Sequence, residues 1–144
     1  YNDIVEVIRL WSLPKLQELL LHKNKLETAD EITELNLPAL QKLNLAYNNL
    51  KEVANLDRFK NLTVLELQHN ALESIVGVEN LAKLQELKLE FNKLSDLPFL
   101  DSLKSLKSIT TEGNDLKAGI AAKAKEIQDK FNAMKGSLPT GNSQ

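Results

Sequence analysis

Leucine recurs along this chain in a single frame. In the stretch 62–72 (LTVLELQHNAL) leucines hold the first, fourth, sixth and eleventh positions, and Asn70 holds the ninth. The frame returns at Leu16 (LQELLLHKNKL), Leu40 (LQKLNLAYNNL), Leu84 (LQELKLEFNKL) and, in worn form, Leu106 (LKSITTEGNDL), at steps of 24, 22, 22 and 22 residues. Self-similarity at such a period predicts a solenoid in which each repeat buries its apolar face against its neighbours. Within the frame, Leu-x-Leu alternates with period 2, which predicts a short strand with both leucines on one face. After the Asn, apolar residues fall at every third place, as in Leu72, Ile75, Val78, Leu81 and Leu84 or Leu94, Leu97, Leu100, Leu103 and Leu106. That step suits a 3₁₀-like or extended return rather than an α-helix.

Stacking such units gives ladders. Leu19, Leu43, Leu65, Leu87 and Ile109 form one predicted column, and Leu26, Leu50, Leu72, Leu94 and Leu116 another. The column Asn2, Asn24, Asn48, Asn70, Asn92 and Asn114 has a structural task, because a carboxamide offers both donor and acceptor to turn backbone that would otherwise be buried unpaired. The first full repeat is two residues longer than the others, in the stretch 27–34 (ETADEITE), where a local bulge or a helical turn is expected on the convex side.

The two ends depart from the frame. Tyr1-Asn2-Asp3-Ile4 aligns with Tyr47-Asn48-Asn49-Leu50, so the chain opens in mid-repeat, and further repeats or a cap are expected before Tyr1. From Leu116 the period changes: Leu116, Ile120, Ala124, Ile127, Phe131 and Met134 make a stripe at about 3.6-residue spacing. The expected domains are thus a repeat array over 1–114, an amphipathic helix over 115–135 that lids the last rung, and a flexible tail over 136–144. Asn114 or Asp115 is the expected N-cap of the helix and Gly136 its stop.

Composition adds exclusions. At 144 residues and 42% apolar content the chain suffices for one continuous core. A net charge of −2 supplies no reason to expect nucleic acid as ligand, and no apolar run is long enough for membrane insertion. The absence of Cys removes disulfides and thiolate chemistry together. His22 and His69 are the only imidazoles, two rungs or about 10 Å apart, and no third ligand converges on them. No phosphate loop, nucleophile elbow or EF-hand motif occurs. We therefore expect no catalysis, metal or cofactor.

The outward strand positions carry what chemistry there is. They read Glu18, Lys42, Val64, Glu86 and Ser108 in a first column, then Leu20, Asn44, Glu66, Lys88 and Thr110 in a second. A third holds His22, Ala46, Gln68, Glu90 and Glu112, and a fourth Lys23, Tyr47, His69, Phe91 and Gly113. Three rings in adjacent rungs with flanking charges match the aromatic anchors and polar rim of a protein interface. They also match rings that stack on one another to cover the strand end.

The frame LxxLxLxxNxL with its three-residue returns resembles the 22-residue class of leucine-rich repeats, seen in the regulatory subunit of protein phosphatase 1 and in internalins. The likeness covers residues 1–116. It implies an α/β solenoid, a right-handed superhelix with a parallel concave β-sheet, 3₁₀ or extended convex returns and a C-terminal capping α-helix. It also implies a non-catalytic interaction scaffold that binds another protein on the concave face through Glu18, Lys42, Asn44, Tyr47, Glu66, His69, Lys88, Glu90, Phe91 and Glu112. The expected location is intracellular. The alternatives are a secreted bacterial effector or adhesin of internalin type, and a substrate-selecting module of a larger enzyme. The helical pattern after Leu116 replaces the Tyr-Arg and Leu-Pro-x-Leu cap of many intracellular members.

Overall fold

A computed structural model describes residues 13–137. The half-repeat expected at Tyr1 to Ile4, with Asn2, and the tail beyond residue 137 lie outside the described residues. Five three-residue strands carry the array: β1 (Glu18–Leu20), β2 (Lys42–Asn44), β4 (Val64–Glu66), β6 (Glu86–Lys88) and β7 (Ser108–Thr110). They form one parallel sheet in the order β1-β2-β4-β6-β7. Register is strict, with Leu19, Leu43, Leu65, Leu87 and Ile109 paired rung to rung. A slip by one residue would turn the whole leucine column to solvent. All five of these side chains are buried.

The returns obey the three-residue step for a local reason. Short 3₁₀ turns occur at Leu56–Arg58, Val78–Asn80 and Leu100–Ser102. Beyond them, i→i−3 hydrogen bonds run from Leu81 N–H to the Val78 carbonyl and from Leu84 N–H to Leu81, with the same pattern at Phe59–Leu62 and Leu103–Leu106. Such bonds eclipse side chains three apart, so Val78, Leu81 and Leu84 all point inward and are buried. Two of the returns also pair in parallel, as β3 (Glu52–Val53) and β5 (Ser74–Ile75). The two extra residues of the first repeat are spent on a helical turn, α1 (Asp30–Thr33), whose Ile32 is fully buried.

The asparagine column closes each strand onto the next repeat. Asn70 accepts from Leu50 N–H at 3.0 Å and donates to the carbonyls of Leu45 and Leu67. Asn92 repeats the pattern one rung on, accepting from Leu72 N–H and donating to Leu67 and Leu89. Asn48 and Asn114 make the equivalent bonds. Every carboxamide from Asn48 onward thus joins two repeats through turn backbone groups, and the carbonyls of Leu45, Leu67 and Leu89 are each shared by two successive asparagines.

At the far end, α2 (Ala118–Ser137) lies against β7. It begins later than Asn114 or Asp115, since the Asn114 carboxamide is committed to the ladder and cannot cap a helix. Ala124 is buried, and Ile120 and Ile127 pack on the core, whereas Met134 is 59% exposed. The inner side of the helix thus closes the last rung through Ile120, Ala124 and Ile127.

Two stability outcomes follow. Leu67→Ala, at a fully buried site, should cost about 2–5 kcal/mol in urea unfolding. Asn92→Ala should lower stability by about 1–3 kcal/mol, because it strands the Leu72 N–H while the Leu67 and Leu89 carbonyls keep Asn70 and Asn114.

Candidate partner-binding face

Strand alternation sends one residue of every pair to the open side of the sheet. Lys42, Glu66 and Lys88 meet near its middle, the Glu66 carboxylate lying 3.6 Å from Lys42 Nζ and 3.9 Å from Lys88 Nζ. The Glu66 side chain is only 13% exposed while each lysine is 38% exposed. The mixed charges are therefore an organised triad, not separately solvated groups. Asn44 turns its Oδ1 back to the Ala46 N–H, and the Glu90 carboxylate accepts from Thr110 Oγ1. Glu18 and Glu112 stand exposed at opposite ends of the face. Ala46, expected to point outward, is buried, because its one methyl is too short to rise above side chains on the adjoining rungs.

The aromatic stripe has a backbone cause. Lys23, Tyr47, His69 and Phe91 all adopt positive φ, between 58° and 60°, as the chain turns from strand to asparagine. The left-handed conformation costs a non-glycine residue about 1–2 kcal/mol. Tyr47 and His69 stack at 4.3 Å and 12°, and His69 and Phe91 at 4.7 Å and 21°. Each such pair returns about 0.5–1.5 kcal/mol, which offsets part of the strain. Lys23 Nζ lies 5.7 Å from the centre of the Tyr47 ring, placing a cation at that end of the stack. Stacking hides ring faces but not ring edges: Tyr47 stays 45% and Phe91 50% exposed.

Gly113 ends this stack and is more than a decayed position. Its φ is +79°, and a Cβ there would stand 2.4 Å from Phe91 Cδ1. A side chain at 113 would have to displace the ring that covers it.

One important residue escaped the sequence reading. β7 would expose an unpaired edge, yet Gln128 of α2 accepts from Ile109 N–H at 2.9 Å and from Ser108 Oγ at 3.0 Å. Its place four residues after Ala124 on the inner side of the helix was the only signal. His22 and His69 remain apart, and among the described residues no group of three His, Cys, Asp or Glu side chains could hold a metal ion. No described helix is long and apolar enough to cross a membrane.

The pattern of the leucine rich repeat matches residues 14–72, and that of two consecutive leucine rich repeats matches residues 60–102. Together they cover more than half of the chain. The chain belongs to the leucine-rich repeat proteins. Among curated leucine-rich repeat relatives, the calmodulin-binding receptor kinase CaMRLK of Arabidopsis thaliana is 38% identical over 44% of this chain and 10% of its own length. Human Toll-like receptor 1 is 32% identical over 49% of this chain and 9% of its own. The chain therefore spans about a tenth of the curated relatives it matches. Among solved structures, a leucine-rich repeat protein of Leptospira interrogans superposes with a TM-score of 0.71 at 29% identity, over 85% of this chain and 33% of the other. Internalin C2 of Listeria monocytogenes gives 0.60 at 25% identity, over 78% and 59%.

In this leucine-rich repeat array six of the ten expected interface positions fall into two groups, the charged triad of Lys42, Glu66 and Lys88 and the ring stack of Tyr47, His69 and Phe91, while Glu18, Asn44, Glu90 and Glu112 belong to neither. Gly113→Ala should destabilise the array by about 1–2 kcal/mol through φ alone. It should also unstack Phe91, read as a loss of near-ultraviolet circular dichroism with the far-ultraviolet spectrum kept.

Proposed function

We propose that this chain is a non-catalytic protein-interaction module whose partner rests on the open sheet face. The observation that carries the reading is the ring stack. Rigid aromatic groups held at fixed spacing, half exposed and beside charged residues, provide contact area at low entropic cost, which is how interface hot spots are built. The partner-binding set comprises Glu18, Lys42, Asn44, Tyr47, Glu66, His69, Lys88, Glu90, Phe91 and Glu112. Membership of a family whose relatives here include receptors supports an interaction role.

Solved bacterial neighbours, internalin C2 among them, favour a second reading, a secreted bacterial effector or adhesin directed at a host protein. Both readings use the same face and differ in where the protein works. An intracellular scaffold is the first choice, resting on the absence of Cys from all 144 residues.

The test is affinity capture with mass spectrometry using the longest natural chain, beside a variant carrying Tyr47→Ala, Glu66→Lys and Phe91→Ala. Circular dichroism should show both folded. The expected result is a partner held by the parent and lost by the variant. Equal capture by both would transfer the function to the convex side or to α2.

A further inference from the structure

The ring stack is electrically uneven along its length, and this bears on the chemistry of whatever covers it. At the β1 end Lys23 supplies a cation over Tyr47. At the other end Phe91 lies over Gly113, which offers no side chain, and Phe91 N–H bonds to the Glu112 carbonyl. Glu90 directly precedes Phe91 and Glu112 stands opposite Glu90 on the next rung, their backbones about 4.8 Å apart by strand spacing. Among the described residues neither has an ion-pair partner; Glu90 meets only the neutral hydroxyl of Thr110. The nearest candidate cation on the strand, Lys88, is drawn the other way, to Glu66 on β4. Lys125 of α2, which lines the same groove as Glu112, is held by Asp129 at 2.6 Å, so Glu90 and Glu112 leave a negative site without an ion pair beside a half-exposed aromatic ring.

Resting on the interface reading above, we infer that the partner presents a basic side chain, arginine above lysine, to the Phe91 end of the stripe. His69 and Gly113 cover the ring on its two sides, so a planar guanidinium would lie along the exposed edge of Phe91 by apolar contact while its fork of N–H donors engages the two carboxylates. Lysine satisfies the charge but not the fork. An acidic or purely apolar segment would leave both carboxylates desolvated without compensation, a costly outcome. The apolar part of the partner then lies over His69 and Tyr47, so the charge pattern also sets the direction in which the segment runs along the stripe.

The experiment is an amide NMR titration of the whole chain with two capped tetrapeptides, one alternating arginine and leucine, the other aspartate and leucine. The basic peptide should shift the amides of Glu90, Phe91, Glu112 and Gly113. Its affinity should fall as salt is added, and should weaken about tenfold in Glu90→Gln/Glu112→Gln, which keeps side-chain size. Equal binding of the acidic peptide, shifts confined to α2, or indifference to the double substitution would overturn the inference. It fails separately from the interface reading: a captured partner lost by Tyr47→Ala with Phe91→Ala but kept by Glu90→Gln/Glu112→Gln leaves the face in place and removes the basic anchor.

Discussion

Everything in this molecule hangs on the asparagine ladder. A three-residue strand makes too few bonds to hold its own register, and a solenoid turns its backbone sharply at every rung. The Asn48, Asn70, Asn92 and Asn114 carboxamides meet both demands, since each accepts an N–H from one repeat and donates to carbonyls of that repeat and its own. An aspartate at these positions would lack the donor and a leucine would lack both functions. The ladder thereby allows leucines to be buried on one side of it without stranding the turn backbone on the other.

The same turn generates the surface. Bending from strand to asparagine forces the preceding residue into left-handed backbone, a conformation that glycine adopts most cheaply. Only the last rung uses glycine. The others carry Lys23, Tyr47, His69 and Phe91, and their stacking recovers part of the strain. A geometrical cost of the fold thus becomes a row of aligned rings, and the charges beside them decide what that row can attract. Strain retained where a cheaper residue exists is a reason to look there for function.

The array also has to stop. A parallel sheet ending at β7 leaves N–H groups facing outward, which invites another strand. α2 answers with Ala124 against the core and the Gln128 amide oxygen on the exposed N–H. Apolar closure and polar closure come from neighbouring turns of one helix.

Much of this was legible in the residues themselves. Leucine spacing determined strand positions and register, the Asn column announced the ladder, and the three-residue step announced 3₁₀ returns, because each depends on neighbours within one repeat and the repeat recurs. The two-residue excess before α1 was legible for the same reason. What the tertiary structure decided involved different repeats or different elements. Glu66 is shared between lysines of two other strands, Gln128 reaches β7 across about twenty residues of chain, and Asn114 is claimed by the ladder before it can cap a helix. Ala46 is outward by pattern yet buried by the length of its neighbours. Periodicity reports which way a side chain leaves the backbone; only the packed neighbours determine what it meets there.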